Sequence, residues 1–202
     1  YDVCDKSDSV ICGEDPLPYV SRGALKLERA LEVFGVDVCG KNTVDIGAST
    51  GGFTQVLLQN DVKSVACIDV GHGQLAKEIE NDERVTSYEG TDVRSFTVGE
   101  GTYEVAVTDV SFISLKLVVP HIHRLLAVGG IEVVLIKPQF EVRKKFLNKK
   151  GVVKDAKIAE KAADDITAFI EAVGFEVVGR CESPVKGGDG NTEFICVCRR
   201  TK

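Results

Sequence analysis

The stretch Val44–Gln55, VDIGASTGGFTQ, limits the fold of this chain more than any other segment. An apolar run ends in an acid, a glycine-rich bend follows, and an amphipathic stretch begins at once. That is a strand, a tight turn and a helix start in one short segment. Gly47 can take backbone angles closed to other residues, and Gly51 and Gly52 leave room for a ligand beside the chain. The spacing is G-x-x-x-G-G, not the G-x-G-x-x-G of dinucleotide-binding turns. About 20 residues after the first glycine, a second apolar run ends in Asp69, placed to bind ribose hydroxyls. The pair reads as a nucleoside site without a pyrophosphate clamp, which suits S-adenosylmethionine better than NAD.

Strand-like and helix-like segments alternate around this motif. The predicted strands are Thr43–Ile46, Ser64–Asp69, Val85–Glu89, Val105–Asp109 and Ile131–Ile136. Helices are predicted at Gly52–Asn60, Gln74–Asn81, Ile113–Ala127 and Ala156–Val173. Such alternation implies a mostly parallel sheet covered on both faces by helices, an α/β fold. Phe175–Cys181 and Glu193–Arg199, joined through a Gly-rich loop, read as a hairpin added to the sheet edge. A closing hairpin of this kind belongs to the Rossmann-like class I methyltransferase layout, with seven strands, rather than to the dehydrogenases. Ahead of the sheet, Leu27, Ala30, Leu31 and Phe34 mark the buried face of a helix over Arg22–Gly35. Arg22, Lys26 and Arg29 follow the same spacing on a neighbouring face, so their charges are expected to project together.

The chain has 202 residues, enough for one domain with an ample core. Residues 1–18 carry turn formers and acids and read as a linker or the tail of another module, followed by one domain over 19–202. The sequence does not open on Met, which points to a trimmed front. No apolar stretch approaches the roughly 20 residues that span a bilayer. A net charge of −6 argues against a free-standing nucleic-acid binder but not against an enzyme with a local basic face. Seven cysteines cannot all pair internally, and Cys67, Cys196 and Cys198 fall in strand-like runs as small core residues. Reduced thiols in a cytoplasmic protein are expected. With no C-x-x-C and three scattered histidines, no metal site is expected.

Ligands of open α/β sheets bind beyond the carboxyl ends of the strands. Asp69, Asp92, Asp109 and Lys137 all fall at such ends. Lys137 ends the apolar run IEVVLI and precedes Pro138, so its stem should be partly buried. Lysine is rarely buried without a partner or a task. Held away from water, a lysine gives up its proton more readily, which suits proton transfer.

YVSRGALKL (19–27), DIGASTGGFT (45–54), IDVGHGQL (68–75), TDVSFISL (108–115), IKPQFE (136–141) and GNTEF (190–194) occur in this order. Together they resemble the TlyA, or hemolysin A-like, family of ribosomal RNA 2′-O-methyltransferases, within the FtsJ-like group. The resemblance covers roughly residues 19 to 200 and implies S-adenosylmethionine-dependent methylation of a ribose 2′-hydroxyl, with cytidine in ribosomal RNA as the target. It implies a Lys-Asp-Lys-Glu tetrad, which falls on Lys26, Asp109, Lys137 and Glu193. Lys137 would take the hydroxyl proton, Asp109 and Glu193 would orient the lysines, and Lys26 would hold the hydroxyl or a nearby phosphate. No metal is needed. For the cofactor it implies Gly47, Gly51 and Gly52 at the methionine portion, Asp69 at the ribose and Asp92 at the adenine, with Ser49 and Asp109 as further cofactor contacts; Phe53 fits equally beside the ligand or in the core. Position 24 is Ala where the family usually has Gly. Family members usually carry an S4-type RNA-binding domain in front, of which residues 1–18 would be the last strand and linker.

The stretch VRKKFLNKKGVVK is rich in lysine, and Arg143, Lys144 and Lys145, with Arg22, Lys26 and Arg29, are the candidate RNA-binding cations. A charge run of this kind is commonly just a solvated loop; beside the site it would bind phosphates in a salt-dependent way. Two other functions fit the sequence less well. A membrane-active cytolysin, suggested by the hemolysin name, finds no supporting segment, and an RNA-binding assembly factor without catalysis would have no use for an intact tetrad.

Overall fold

The computed structural model describes residues 18–202; of the front segment read as a linker, residues 1–17 lie outside the described part. Seven strands form one sheet: β1 Asn42–Ile46, β2 Ser64–Ile68, β3 Val85–Tyr88, β4 Tyr103–Thr108, β5 Leu126–Ile136, β6 Phe175–Glu182 and β7 Phe194–Arg200. Their order is β3-β2-β1-β4-β5-β7-β6. All pairings through β5 are parallel, whereas β7 runs antiparallel between β5 and β6. The predicted fold class, with its closing hairpin, is the one observed.

Among the described residues six helices accompany the sheet: α1 Ala24–Phe34, α2 Gly52–Gln59, α3 Lys77–Glu80, α4 Val119–Leu125, α5 Pro138–Glu141 and α6 Ala156–Val173. The run VVLI in β5 shows why both faces need cover. Val133 and Leu135 face one core with Leu27 of α1 and Leu57 of α2, and Val134 and Ile136 face a second core with Ile122 of α4 and Ile166 of α6. Burying each such side chain contributes about 1.5–3 kcal/mol. Helix α1 stops at Gly35, whose φ of +61° lets its N–H reach back to the Leu31 carbonyl.

Three predicted elements differ. The helix expected over Ile113–Ala127 is a 3₁₀ turn at Leu115–Leu117 followed by α4, because Ser114 caps the turn and Pro120 starts the helix proper. The helix expected over Gln74–Asn81 shrinks to α3, since Ala76 is extended, with ψ 140°, and gives its N–H to the Thr50 carbonyl at 3.1 Å. Strand β5 begins at Leu126, five residues early: it bulges through Gly129, at φ +84°, before resuming register with β4 at Ile131.

Within the apolar run of β5 stands Glu132, 1% exposed, with neither carboxyl oxygen hydrogen-bonded among the described residues. Burial pushes its pKa up to about 8 from an ordinary 4.5. Between those values the folded protein keeps a proton that the unfolded chain releases, so Glu132 makes stability fall as pH rises, by up to about 1.4 kcal/mol per pH unit. Asp45, raised to about 7 by burial, acts alike and adds to the same loss around pH 7. Glu132→Gln should therefore flatten the loss of urea midpoint between pH 7 and 8; an unchanged slope would mean that Glu132 is already ionised in the folded state.

Candidate active site

Four strand ends build the site. After β1, Gly47 turns at φ +83°, and a Cβ there would stand 2.5 Å from the Asp109 carbonyl oxygen at the end of β4. Only glycine lets the two strand ends pass this closely. The Gly47 N–H donates to the Ile68 carbonyl at 2.8 Å, so the turn is bound to β2 as well. Ser49, itself at φ +49°, donates its N–H to Asp69 Oδ2 at 2.7 Å, and Gly71 N–H reaches Asp69 Oδ1 at 2.7 Å. Two backbone donors thus aim the Asp69 carboxylate while leaving it lone pairs for hydroxyl donors.

Beneath the turn Asp45 is fully buried and accepts the Thr54 hydroxyl at 2.6 Å, tying β1 to α2. Gly51 and Gly52 are both required by close protein packing. A Cβ at Gly51 would come within 2.9 Å of Leu75, and one at Gly52 within 2.1 Å of Ser21 Oγ. Gly51 borders neither cleft described below, which corrects the expectation of open space beside it. The segment ahead of α1 is stitched down at the same place: Val20 N–H donates to Gln55 Oε1 at 2.8 Å, and Gln55 returns a bond to the Pro18 carbonyl at 3.2 Å.

Two clefts meet at Gly47, Ser49, Asp109 and Ser111. The larger, of about 770 Å³, carries Asp69 and Asp92 beside apolar walls from Val70, Val93 and Phe112. A carboxylate at the end of β2 that can accept ribose hydroxyls, beside apolar flanks, suits a nucleoside. Asp92 is held by Arg94, which donates through Nε at 3.0 Å, Nη2 at 2.5 Å and its backbone N–H at 2.9 Å. That contact holds the Asp92 carboxyl below the usual carboxylate range.

The smaller cleft, of about 520 Å³, contains all four predicted tetrad residues. Lys26 Nζ lies 2.7 Å from Glu193 Oε2 and 3.7 Å from Asp109 Oδ2. Lys137 Nζ lies 2.6 Å from Asp109 Oδ1 and donates to Ser111 Oγ at 2.8 Å. The Lys137–Asp109 contact is an ion pair rather than a well-directed hydrogen bond, since Oδ1 has no partner of hydrogen-bond geometry. The order is Glu193–Lys26–Asp109–Lys137, two cations alternating with two anions. Removing any member leaves an uncompensated charge in a largely water-free place. Gln139 Nε2 faces the other Glu193 oxygen at 3.4 Å.

The candidate RNA-binding cations do not act as one set. Lys26 turns inward and is 8% exposed, whereas Arg29 lies on the surface and pairs with Glu32 at 3.5 Å; the expectation that they project together fails because Glu193 captures the lysine. Arg22 is exposed and borders the tetrad cleft. Arg143, Lys144 and Lys145 stand exposed on a 3₁₀ turn outside both clefts. Phe53 belongs mainly to the core, and its edge reaches the tetrad cleft.

Sequence reasoning missed Ser111, Gln139 and Phe112, although all three lie inside quoted motifs. Phe112 is 91% exposed at φ +63°, with its ring 5.0 Å from that of Phe140. A bulky residue in that region of backbone space is a true outlier, and such strain gathers at binding sites.

This strand order, with its crevice at β1 and β4 and an antiparallel seventh strand, defines an S-adenosylmethionine-dependent methyltransferase fold; solved enzymes of that class share it at TM-scores of 0.64–0.69 and 11–14% identity. The FtsJ-like methyltransferase family matches residues 19–200, and the chain belongs to that family. It is 46% identical over 90% of its length to the Bacillus subtilis protein named "Putative rRNA methyltransferase YqxC", of which it spans 66%. It is 42% identical over 88% of its length to the 23S rRNA (cytidine-2′-O)-methyltransferase TlyA of Campylobacter jejuni, spanning 69% of that protein. A solved Streptococcus thermophilus structure, 46% identical, superposes with a TM-score of 0.89 over 94% of this chain and 70% of its own.

Gly47→Ala should be the most damaging single methyl in the site. Backbone strain and overlap with the Asp109 carbonyl together cost roughly 2–4 kcal/mol. Urea denaturation should show a clearly lower midpoint, and calorimetry should show weakened binding of S-adenosylhomocysteine; a wild-type midpoint would mean that β1 and β4 can move apart.

Proposed function

We propose that this chain methylates a ribose 2′-hydroxyl of cytidine in ribosomal RNA, using S-adenosylmethionine, on ribosomal subunits in the cytoplasm. One observation carries the reading: the alternating Glu193–Lys26–Asp109–Lys137 cluster lines one cleft and reaches the adjoining nucleoside cleft through Asp109. The relatives support the choice of substrate through their names alone.

The nucleoside cleft would hold the cofactor through Asp69 at its ribose, Asp92 at the adenine end, and the Gly47–Gly52 turn near its methionine portion. Bound there, S-adenosylmethionine supplies a methyl group already activated on a sulfonium. The protein's task is then to position the hydroxyl and remove its proton. Once its own ammonium proton has passed to solvent, the neutral Lys137 Nζ accepts the hydroxyl proton as the oxygen attacks, and the ammonium so restored is matched by Asp109, 2.6 Å away. Ser111 Oγ, 2.8 Å from the same nitrogen, directs the amine. Lys26, held by Glu193 on the other side of Asp109, supplies a fixed positive charge to the hydroxyl or an adjoining phosphate. Phe112 offers a free aromatic face at the cleft rim, suited to stacking on the target base.

A membrane-active role has no structural observation in its favour: among the described residues no helix is long and apolar enough to cross a bilayer.

Lys137→Ala should lower transfer of labelled methyl to ribosomal subunits by about 10²–10⁴-fold while leaving S-adenosylhomocysteine affinity within a few-fold. Wild-type turnover in that variant removes the proposed base. Phe112→Ala should raise KM for the subunits by about tenfold, from the loss of roughly 1–3 kcal/mol of stacking; an unchanged KM takes the base off that ring.

A further inference from the structure

Behind α5 the chain forms a small hairpin. Leu147 and Val153 make an isolated antiparallel bridge, and Asn148 N–H donates to the Val152 carbonyl at 2.8 Å. Asn148 Oδ1 accepts the N–H groups of Lys150 at 2.8 Å and Val152 at 3.0 Å, and Gly151 completes the turn at φ +76°. The lysine-rich run is therefore a built arm. Its cations Arg143, Lys144, Lys145, Lys149, Lys150 and Lys154 are all exposed, and among the described residues none meets a carboxylate within ion-pair distance. In a protein of net charge −6, such a concentration of uncompensated positive charge marks a surface kept for a polyanion.

A second, independent observation concerns how the arm is attached. Asn191 is 2% exposed. Its side chain accepts the Val153 N–H at 3.0 Å and donates to the Gly151 carbonyl at 3.2 Å, replacing a neighbouring strand for the arm's backbone. Its own carbonyl accepts the Gly187 N–H at 3.0 Å, and the loop containing Gly187 forms one wall of the tetrad cleft. Two residues further on stands Glu193, the partner of Lys26. One buried amide thus fixes the arm, the cleft wall and the start of β7 to one another.

We propose that the hairpin over residues 147–153 is a phosphate-binding arm, and that Asn191 is a positioning residue that fixes its phosphate contacts at a set distance from the tetrad. The proposal rests on the RNA methyltransferase reading above. A flexible basic loop would add affinity without placing anything; an arm held by Asn191 adds affinity and sets which ribose reaches Lys137. Because the arm is ordered before RNA arrives, less conformational freedom is lost on binding.

The full 202-residue chain is the test protein. Deproteinised ribosomal RNA serves as the polyphosphate probe, and S-adenosylhomocysteine serves as a control for the cofactor cleft. Lys149→Glu with Lys150→Glu should weaken RNA binding about tenfold near physiological salt. The same pair should reduce the slope of log affinity against log salt by about 1.5, since each lost phosphate contact removes roughly 0.7–0.9. Affinity for S-adenosylhomocysteine should stay within threefold. The charge swap is then repeated in an Asn191→Ala background, where it should cost less than threefold, because the arm no longer has a fixed place. An unchanged salt slope overturns the arm, and an equal cost of the swap with and without Asn191 overturns its positioning role. Both are read on binding alone. A wild-type chain that shows this slope yet transfers no methyl to ribosomal subunits supports the arm and refutes the proposed reaction instead.

Discussion

The passage of Gly47 across the Asp109 carbonyl decides where everything else in the site can stand. The two strand ends are so close that no side chain fits at Gly47. The closeness opens the crevice on one side of the contact and brings Asp109 to the junction of two clefts on the other. The turn is fixed from three directions: by β2 through the Ile68 carbonyl, by Asp69 through Ser49, and from below by Asp45 through Thr54. A buried carboxyl group beneath a glycine turn is costly to maintain. Here its hydrogen bond to the first turn of α2 fixes the angle at which that helix leaves the sheet.

The tetrad shows the electrostatic counterpart of that arrangement. Two buried lysines alternate with the half-buried Asp109 and the buried Glu193, so positive and negative groups balance along the cluster while each end presents a different group. Lys137 faces the junction with a carboxylate behind it, and Lys26 is held between two. Identical side chains thereby receive different tasks from their neighbours alone. The alternating charges come from the ends of four separate elements, α1, β4, β5 and β7.

Much of this was legible in the sequence, and the misses share a cause. Strand ends are readable because an apolar run that stops at a polar residue names both the element and the point where it meets solvent; Asp69, Asp109 and Lys137 all follow that rule. Gly51 and Gly52 were read as space for a ligand, yet their neighbours Leu75 and Ser21 are distant in sequence, and spacing carries no information about such contacts. Lys26 and Arg29 look equivalent on a helical wheel until Glu193, 167 residues further on, claims one of them. Glu132 sits inside β5 with no hydrogen-bond partner among the described residues, where an apolar pattern hides a single acid. Phe112 gave no signal as a letter; its meaning lies in its backbone angle and its exposure.

The antiparallel seventh strand carries a consequence for how the protein comes to life. Asp109 and Lys137 stand just beyond the finishing ends of their strands, whereas Glu193 immediately precedes a strand that enters from the opposite direction. The bond between Lys26 and Glu193 therefore joins almost the first helix to the last strand. Contacts of such long range form late, after shorter loops have closed. A nascent chain therefore has Lys26, Asp109 and Lys137 before it has Glu193, and the cluster proposed to carry the reaction closes only when the final strand slides into place.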